Sequence, residues 1–186
     1  MTVALSVFEI QDSIKKAINS VLIQLDAAAR HGADLVVFPE TCLTGLVNNG
    51  IPEHDRSFAI SCDSEFLNAV RNRAAQTHIS ICIGFLERFA DQLFDSYLVA
   101  GLPGGSDVLY RRRSAGWLTR NSDPNIYGRG NTPAHFRVKD VECTVLICGD
   151  LFDDPTIAGL QRVVSFDFVV NPIVRHQVDD KLSSDE

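Results

Sequence analysis

The chain has 186 residues, 45% of them hydrophobic and 22% charged, with a formal net charge of −7 and a pI near 5.2. That is enough material to bury the core of a single domain. The acidic balance, broken only by the short basic run Tyr110 to Arg113, argues against a nucleic-acid partner. No apolar stretch approaches the ~18 residues a membrane span needs, and MTVALSVFEIQDSIKK carries an acid where a targeting peptide would be basic, so no membrane association and a cytoplasmic location are expected. Five cysteines without CxxC pairing and five scattered histidines support neither a disulfide framework nor a metal site, and no cofactor is called for.

In chain order, Thr2 to Phe8 reads as a strand, and Asp12 or Ser13 caps a helix whose apolar residues Ile14, Ala17, Ile18, Val21, Leu22, Leu25 and Ala28 recur at helical spacing. Gly32 ends that helix, Leu35 to Phe38 form a buried strand, and Pro39 stops it, which leaves Glu40 at the strand's carboxyl end. Asp63 or Ser64 begins a second helix with Leu67, Val70 and Ala74 inward, and Ile79 to Glu87 follows as a strand. Ser96 to Ala100 and Val108 to Arg111, joined by LPGGSD, read as an antiparallel hairpin. The polar stretch from Arg112 to Pro133 is too long for an idle connection and reads as a functional loop. Strands at His135–Val138, Cys143–Ile147 and Phe166–Val170, with a helix starting at Asp154 or Pro155, complete an α/β layered architecture.

Three strand ends carry reactive or charged groups: Glu40 after LVVFP, the arginines after VLY, and Cys148 after TVLI. In α/β sheets binding sites gather beyond the carboxyl ends of strands, so the three are candidates for one pocket. The combination suits attack on a carbonyl or nitrile carbon. A carboxylate takes the thiol proton, and a cation plus a backbone N–H hold the developing oxyanion. Glu40, Arg112 and Cys148 fill the catalytic roles, with the Gly149 N–H in support. A cation beside Cys148 is expected to favour its thiolate and make it the most reactive of the five cysteines.

GADLVVFPE at Gly32 to Glu40, the tyrosine and basic cluster at Tyr110 to Arg113, and VLICGD at Val145 to Asp150 resemble, in order and spacing, the nitrilase superfamily of carbon–nitrogen hydrolases. The resemblance implies an αββα sandwich bearing a Glu-Lys-Cys triad, acting on a small amide or nitrile without metal or cofactor. Glu40 matches the base and Cys148 the nucleophile, while Arg112 occupies the lysine's place. Many members carry a second glutamate seven residues before a glycine in the following loop, and counting back from Gly130 lands on Asp123 as a supporting acid. Trp117 and Tyr127 in the same loop are candidates for lining the substrate pocket.

Family members also continue through further strands and a helix. The chain is therefore expected to form a carbon–nitrogen hydrolase domain over 1–172 that is incomplete at its C-terminus, with a polar tail over 173–186. Sheet left bare in that way is expected to be covered by a second subunit, giving a homo-oligomer. Two rivals stand beside an amidase. One is a degenerate relative kept as a binding or assembly subunit, motivated by Arg112 and the missing C-terminal part. The other is a Cys-His hydrolase, which requires His135 or His176 beside Cys148.

Overall fold

The computed structural model describes residues 1–161 and 165–174. Strand β1 (Val3–Leu5) is followed by helix α1 (Ile14–Arg30), strand β2 (Leu35–Val37), the short helix α2 (Pro52–Phe58) and helix α3 (Glu65–Thr77). Strands β3 (Ser80–Phe89), β4 (Gln92–Ala100) and β5 (Val108–Arg111) come next. Strands β6 (Phe136–Val138) and β7 (Val141–Val145), helix α4 (Asp154–Gln161) and strand β8 (Phe168–Val170) follow.

Local chemistry explains the helix ends. Ser13 caps α1 by accepting from the Lys16 N–H at 3.4 Å, and Ser64 does the same for α3 through the Leu67 N–H. At the far end of α1, Gly32 has φ of +71°, and the N–H groups of Gly32 and Ala33 return to the carbonyls of Ala29 and Ala28. This is a Schellman closure, which a glycine enters without a Cβ penalty. Ala17, Ile18, Val21, Leu25 and Ala28 of α1 and Leu67, Val70 and Ala74 of α3 are buried, as their spacing predicts.

Two sheets result. The first runs β1-β2-β3-β4-β5, with β1, β2 and β3 parallel and β4 and β5 antiparallel additions; the second runs β6-β7-β8. Alternation along the strands divides the core. Val36, Ile81, Ile83, Phe85, Leu98 and Ala100 face the helices α1 and α3, while Leu35, Cys82, Tyr97, Val99 and Tyr110 pack against Phe136, Cys143, Val145 and Val170 of the second sheet. The layers are those of the αββα sandwich that the motifs imply. Among the described residues no helix is long and apolar enough to cross a membrane, and no cluster of side chains could hold a metal ion.

Two elements differ from expectation. Helix α2 lies in a stretch to which the sequence reading assigns no element, and β4 begins at Gln92 rather than Ser96, so β3 and β4 form a long hairpin with Phe89 opposite Gln92.

Candidate active site

Glu40 is placed by the turn that follows β2. Pro39 ends the strand, Thr41 turns left-handed with φ of 46°, and the turn then crosses β3 at Gly84. A Cβ on Gly84 would overlap the Thr41 nitrogen and lie 2.9 Å from the Glu40 carbonyl carbon, so only glycine lets the turn lie this close. The Tyr97 hydroxyl donates to the Phe38 carbonyl just before the turn. Glu40 is left with a fully buried side chain.

The three arginines part company. Arg111 lies on the helix face, donating to Glu87 from Nε at 2.7 Å and Nη2 at 2.8 Å while stacking over Phe89 and Phe94. Arg113 reaches the Thr156 carbonyl at 3.5 Å. Arg112 alone turns inward. Its Nη1 donates to Glu40 Oε1 at 2.7 Å and lies 3.4 Å from Asp95 Oδ2, and its Nε donates to Ser114 Oγ at 2.9 Å. The second Glu40 oxygen accepts from the Val174 backbone N–H at 3.0 Å, so a residue past the expected domain end at 172 contributes to the site.

Cys148 opens a 3-10 turn (Cys148–Phe152) that follows β7 after Leu146 and Ile147, and is itself left-handed, with φ of 44°. Non-glycine residues rarely hold this conformation, and it persists only where the surroundings enforce it. Here the Cys148 N–H donates to the Pro172 carbonyl at 2.9 Å, and Asp150 fixes the rest. Asp150 Oδ2 accepts from the Tyr110 hydroxyl at 2.6 Å and the Ile147 N–H at 3.2 Å, while Oδ1 accepts from the N–H groups of Arg113 and Ser114 at 3.1 and 2.6 Å. One buried carboxylate thus ties the cysteine turn to the arginine loop. Gly149 permits the contact between them, since a Cβ there would lie 2.7 Å from Arg112 Nη2 and 3.2 Å from Ser114 Oγ.

The electrostatics correct one expectation. The Cys148 thiol is pushed up from its ordinary value, first by burial and then by the Glu40 carboxylate beside it, and the Arg112 charge only partly offsets this. The resting group is a thiol next to a base rather than a preformed thiolate. Burial opposes the charge on Arg112 too, but Asp95, Glu40 and the neighbouring Cys148 and Asp150 outweigh it and raise the guanidinium further. Cys42 is pushed to about 12 by burial, and Cys82 well up for the same reason. All five cysteines are free.

Glu40, Arg112, Cys148 and Gly149 therefore meet, and the other sequence candidates lie elsewhere. Asp123 is exposed in its turn, where its carboxylate accepts from the N–H of Asn125 at 2.9 Å and from that residue's amide at 3.0 Å, the ordinary work of an Asp-Pro turn. Trp117 and Tyr127 are buried against Leu86 and Leu93, with their rings 6.1 Å apart, and the Tyr127 hydroxyl donates to Asp55 at 2.6 Å. They pin the long loop to the body. His135 pairs with Glu142 at 2.8 Å on the partly exposed β6 side, and His176 lies outside the described residues. Asp95, Ser114 and Asp150 belong to the site although sequence reasoning gave them no role. Asp150 had a signal, as an acid two residues after Cys148 in the same motif.

A family model for carbon–nitrogen hydrolases matches residues 3–157. The chain belongs to the carbon–nitrogen hydrolase family. No curated protein matches this hydrolase-family chain in sequence. Among solved structures it is similar to a glutamine-dependent NAD+ synthetase from Acinetobacter baumannii, with 20% identity, a TM-score of 0.67, and coverage of 93% of this chain and 32% of that one. It is also similar to a CN-hydrolase superfamily protein from Xanthomonas campestris with an arsenic adduct in its active site, with 21% identity, a TM-score of 0.72, and coverage of 96% and 65%. A third is a mutant of the amidase from Nesterenkonia sp. AN1 whose active-site cysteine has undergone Michael addition of acrylamide, with 16% identity, a TM-score of 0.68, and coverage of 93% and 66%. At these identities the likeness shows the fold, and the chain spans between a third and two thirds of each neighbour's length.

Proposed function

We propose that the chain carries an amidase site that cleaves a small amide or carbamoyl compound through a thioester on Cys148. The observation that carries this reading is the convergence of Glu40, Arg112 and Cys148 from three strand ends, with Glu40 2.7 Å from the arginine and its charge helping to hold the thiol protonated. The fold neighbour with a modified active-site cysteine supports the same assignment.

Glu40 takes the thiol proton as sulfur attacks the carbonyl carbon, and the carbonyl electron pair moves onto oxygen beside Arg112. The oxyanion then collapses, the C–N bond breaks, and Glu40 passes its proton to the leaving nitrogen. Water attacks the thioester as Glu40 accepts one of its protons. When the C–S bond breaks, that proton returns to sulfur and the carboxylic acid leaves. Arg112 keeps its charge throughout, because a guanidinium does not release a proton in proteins. Glu40 therefore carries every transfer, and the arginine contributes only charge and position.

Ammonia release from a panel of small primary amides tests the proposal. Wild type should turn over at least one of them, while Cys148→Ala abolishes release and Glu40→Gln lowers it about 10²–10⁴-fold. Turnover that survives Cys148→Ala would overturn the assignment. Silence from wild type on the whole panel would favour the binding or assembly subunit.

A further inference from the structure

The site holds two carboxyl groups that this reaction does not use: Asp150, which backbone N–H groups and the Tyr110 hydroxyl satisfy, and Asp95. Asp95 lies on β4 with its side chain 1% exposed, on the strand face that also carries Tyr97. Its backbone carbonyl accepts the Arg112 N–H at 2.8 Å, and its Oδ2 lies 3.4 Å from the Nη1 that Glu40 holds at 2.7 Å. Its other oxygen, Oδ1, is buried with no donor among the described residues. An ionised carboxylate in that position leaves a buried acceptor without a protein donor, which is costly.

Charge counting gives the same answer. Two carboxylates, Glu40 and Asp95, face one guanidinium, and the neighbouring cations are engaged elsewhere. Arg111 pairs with Glu87 on the opposite face of the sheet, and Arg113 reaches the Thr156 carbonyl. The remaining titratable neighbours offer no positive charge. Cys148 and Asp150 lie around Arg112, the Tyr97 hydroxyl is committed to the Phe38 carbonyl, and the Tyr110 hydroxyl to Asp150. Two acids this close do not both ionise against a single cation.

We propose that Asp95 is a positioning residue that retains one proton at neutral pH, donating it as a hydrogen bond to Glu40 so that a single carboxylate faces Arg112 and the Cys148 thiol. The role rests on the amidase reading of Glu40 and Cys148. Arginine gives this site a charge that cannot be relieved by proton loss, and Asp95 sets the number of negative charges around it. Burial first, and then the adjacent Glu40, hold the Asp95 carboxyl well above the usual carboxylate range, in agreement with the geometry.

The sign of the pH dependence separates the alternatives. A neutral Asp95 keeps its proton in the fold at pH values where the unfolded chain has released it, so its contribution to wild-type stability falls as pH rises above about 4. Asp95→Asn keeps the shape, with an N–H toward Glu40 and no proton to lose. Its melting temperature should exceed that of wild type by a margin that widens about 3–5 °C per pH unit until the folded group ionises. An Asp95 ionised against Arg112 gives the opposite result: Asp95→Asn is less stable at neutral pH, or does not fold. Infrared difference spectra of wild type against Asp95→Asn at pH 7 should show a protonated-carboxyl C=O band in wild type only, and absence of that band would overturn the proposal.

For the positioning role, the readout is the pH profile of Asp95→Asn, in which the amide N–H replaces the acid's O–H. The alkaline limb of kcat/KM should move to higher pH, since the second negative charge no longer develops. An unmoved alkaline limb would overturn the positioning role. A wild type without turnover would remove the proposed reaction and Asp95's part in it, while the melts and spectra still decide where the proton sits.

Discussion

Removing Arg112 is expected to damage stability and chemistry together, by amounts that can be worked from its contacts. The side chain is 4% exposed, and it is the counter-charge for Glu40 at 2.7 Å and the nearest cation to Asp95 at 3.4 Å. Arg112→Ala leaves Glu40 buried without its counter-charge, a change of about 3–5 kcal/mol. Against a total stability of about 5–15 kcal/mol this is a large fraction, and at about 2–4 °C per kcal/mol it lowers the melting temperature by about 6–20 °C. Arg112→Lys keeps a positive charge but loses the fork that reaches Ser114 and Glu40 together, and should cost about 1–3 kcal/mol. Turnover should fall about 10²–10³-fold in Arg112→Ala, the size of a lost oxyanion donor, and stay within about tenfold in Arg112→Lys. Thermal melts from pH 5 to 8 and ammonia release decide both parts. Turnover that survives Arg112→Ala, or a melting temperature unchanged at pH 7, would refute the reasoning. A large gain in Arg112→Lys would mean that the reaction needs a cation able to lose its proton.

Gly149→Ala sets a Cβ 2.7 Å from an arginine that Glu40 and Ser114 already pin, so the guanidinium must shift. The expected loss is about 1–3 kcal/mol by denaturant titration and about 10–100-fold in kcat, and a variant with wild-type turnover would show that the close approach has no bearing on the chemistry. Self-association is expected because Phe152, in the turn that Cys148 opens, is 80% exposed, and Leu151 and Ile173 are exposed near it. Light scattering should give more than one chain per particle and Phe152→Lys fewer, whereas a wild-type monomer would refute the expectation.

The elements that were legible in the sequence are those in which the local signal and the buried face coincide. Helix α1 has a serine cap, an apolar stripe and a closing glycine, and all three match. Helix α2 was not legible, because PEHDRSF buries only Asp55, which is held by the N–H groups of Asn49 and Gly50 and by the Tyr127 hydroxyl. The start of β4 was missed for a related reason. Asp95 and Ser96 interrupt the apolar pattern and read as a strand boundary, yet both are buried mid-strand, one toward Arg112 and the other donating to Glu87 at 2.6 Å. Polar residues inside a strand mark the site here, and periodicity alone cannot distinguish that from an end. Spacing misled at Asp123, where a count back from Gly130 met a turn-forming Asp-Pro pair.

The surroundings of Arg112 bear on whether the arginine is decay or design. A guanidinium is larger than an ammonium and brings five N–H donors in a plane, so an arginine dropped into a lysine's place without other change would clash or leave donors buried and unmet. Neither occurs. Ser114 takes the Nε hydrogen, and Glu40 and Asp95 lie on Nη1. Nη2 passes between Gly116 and Gly149, where a Cβ on either would stand 2.8 or 2.7 Å away. Among the described residues no acceptor meets Nη2, so the nitrogen nearest the Cys148 turn is the one with donors to offer a substrate oxygen. An arginine provided with a hydroxyl, two carboxyls and two glycines is a fitted part of this site, and that fit favours a hydrolase adapted to a permanent charge over a remnant that has lost its lysine.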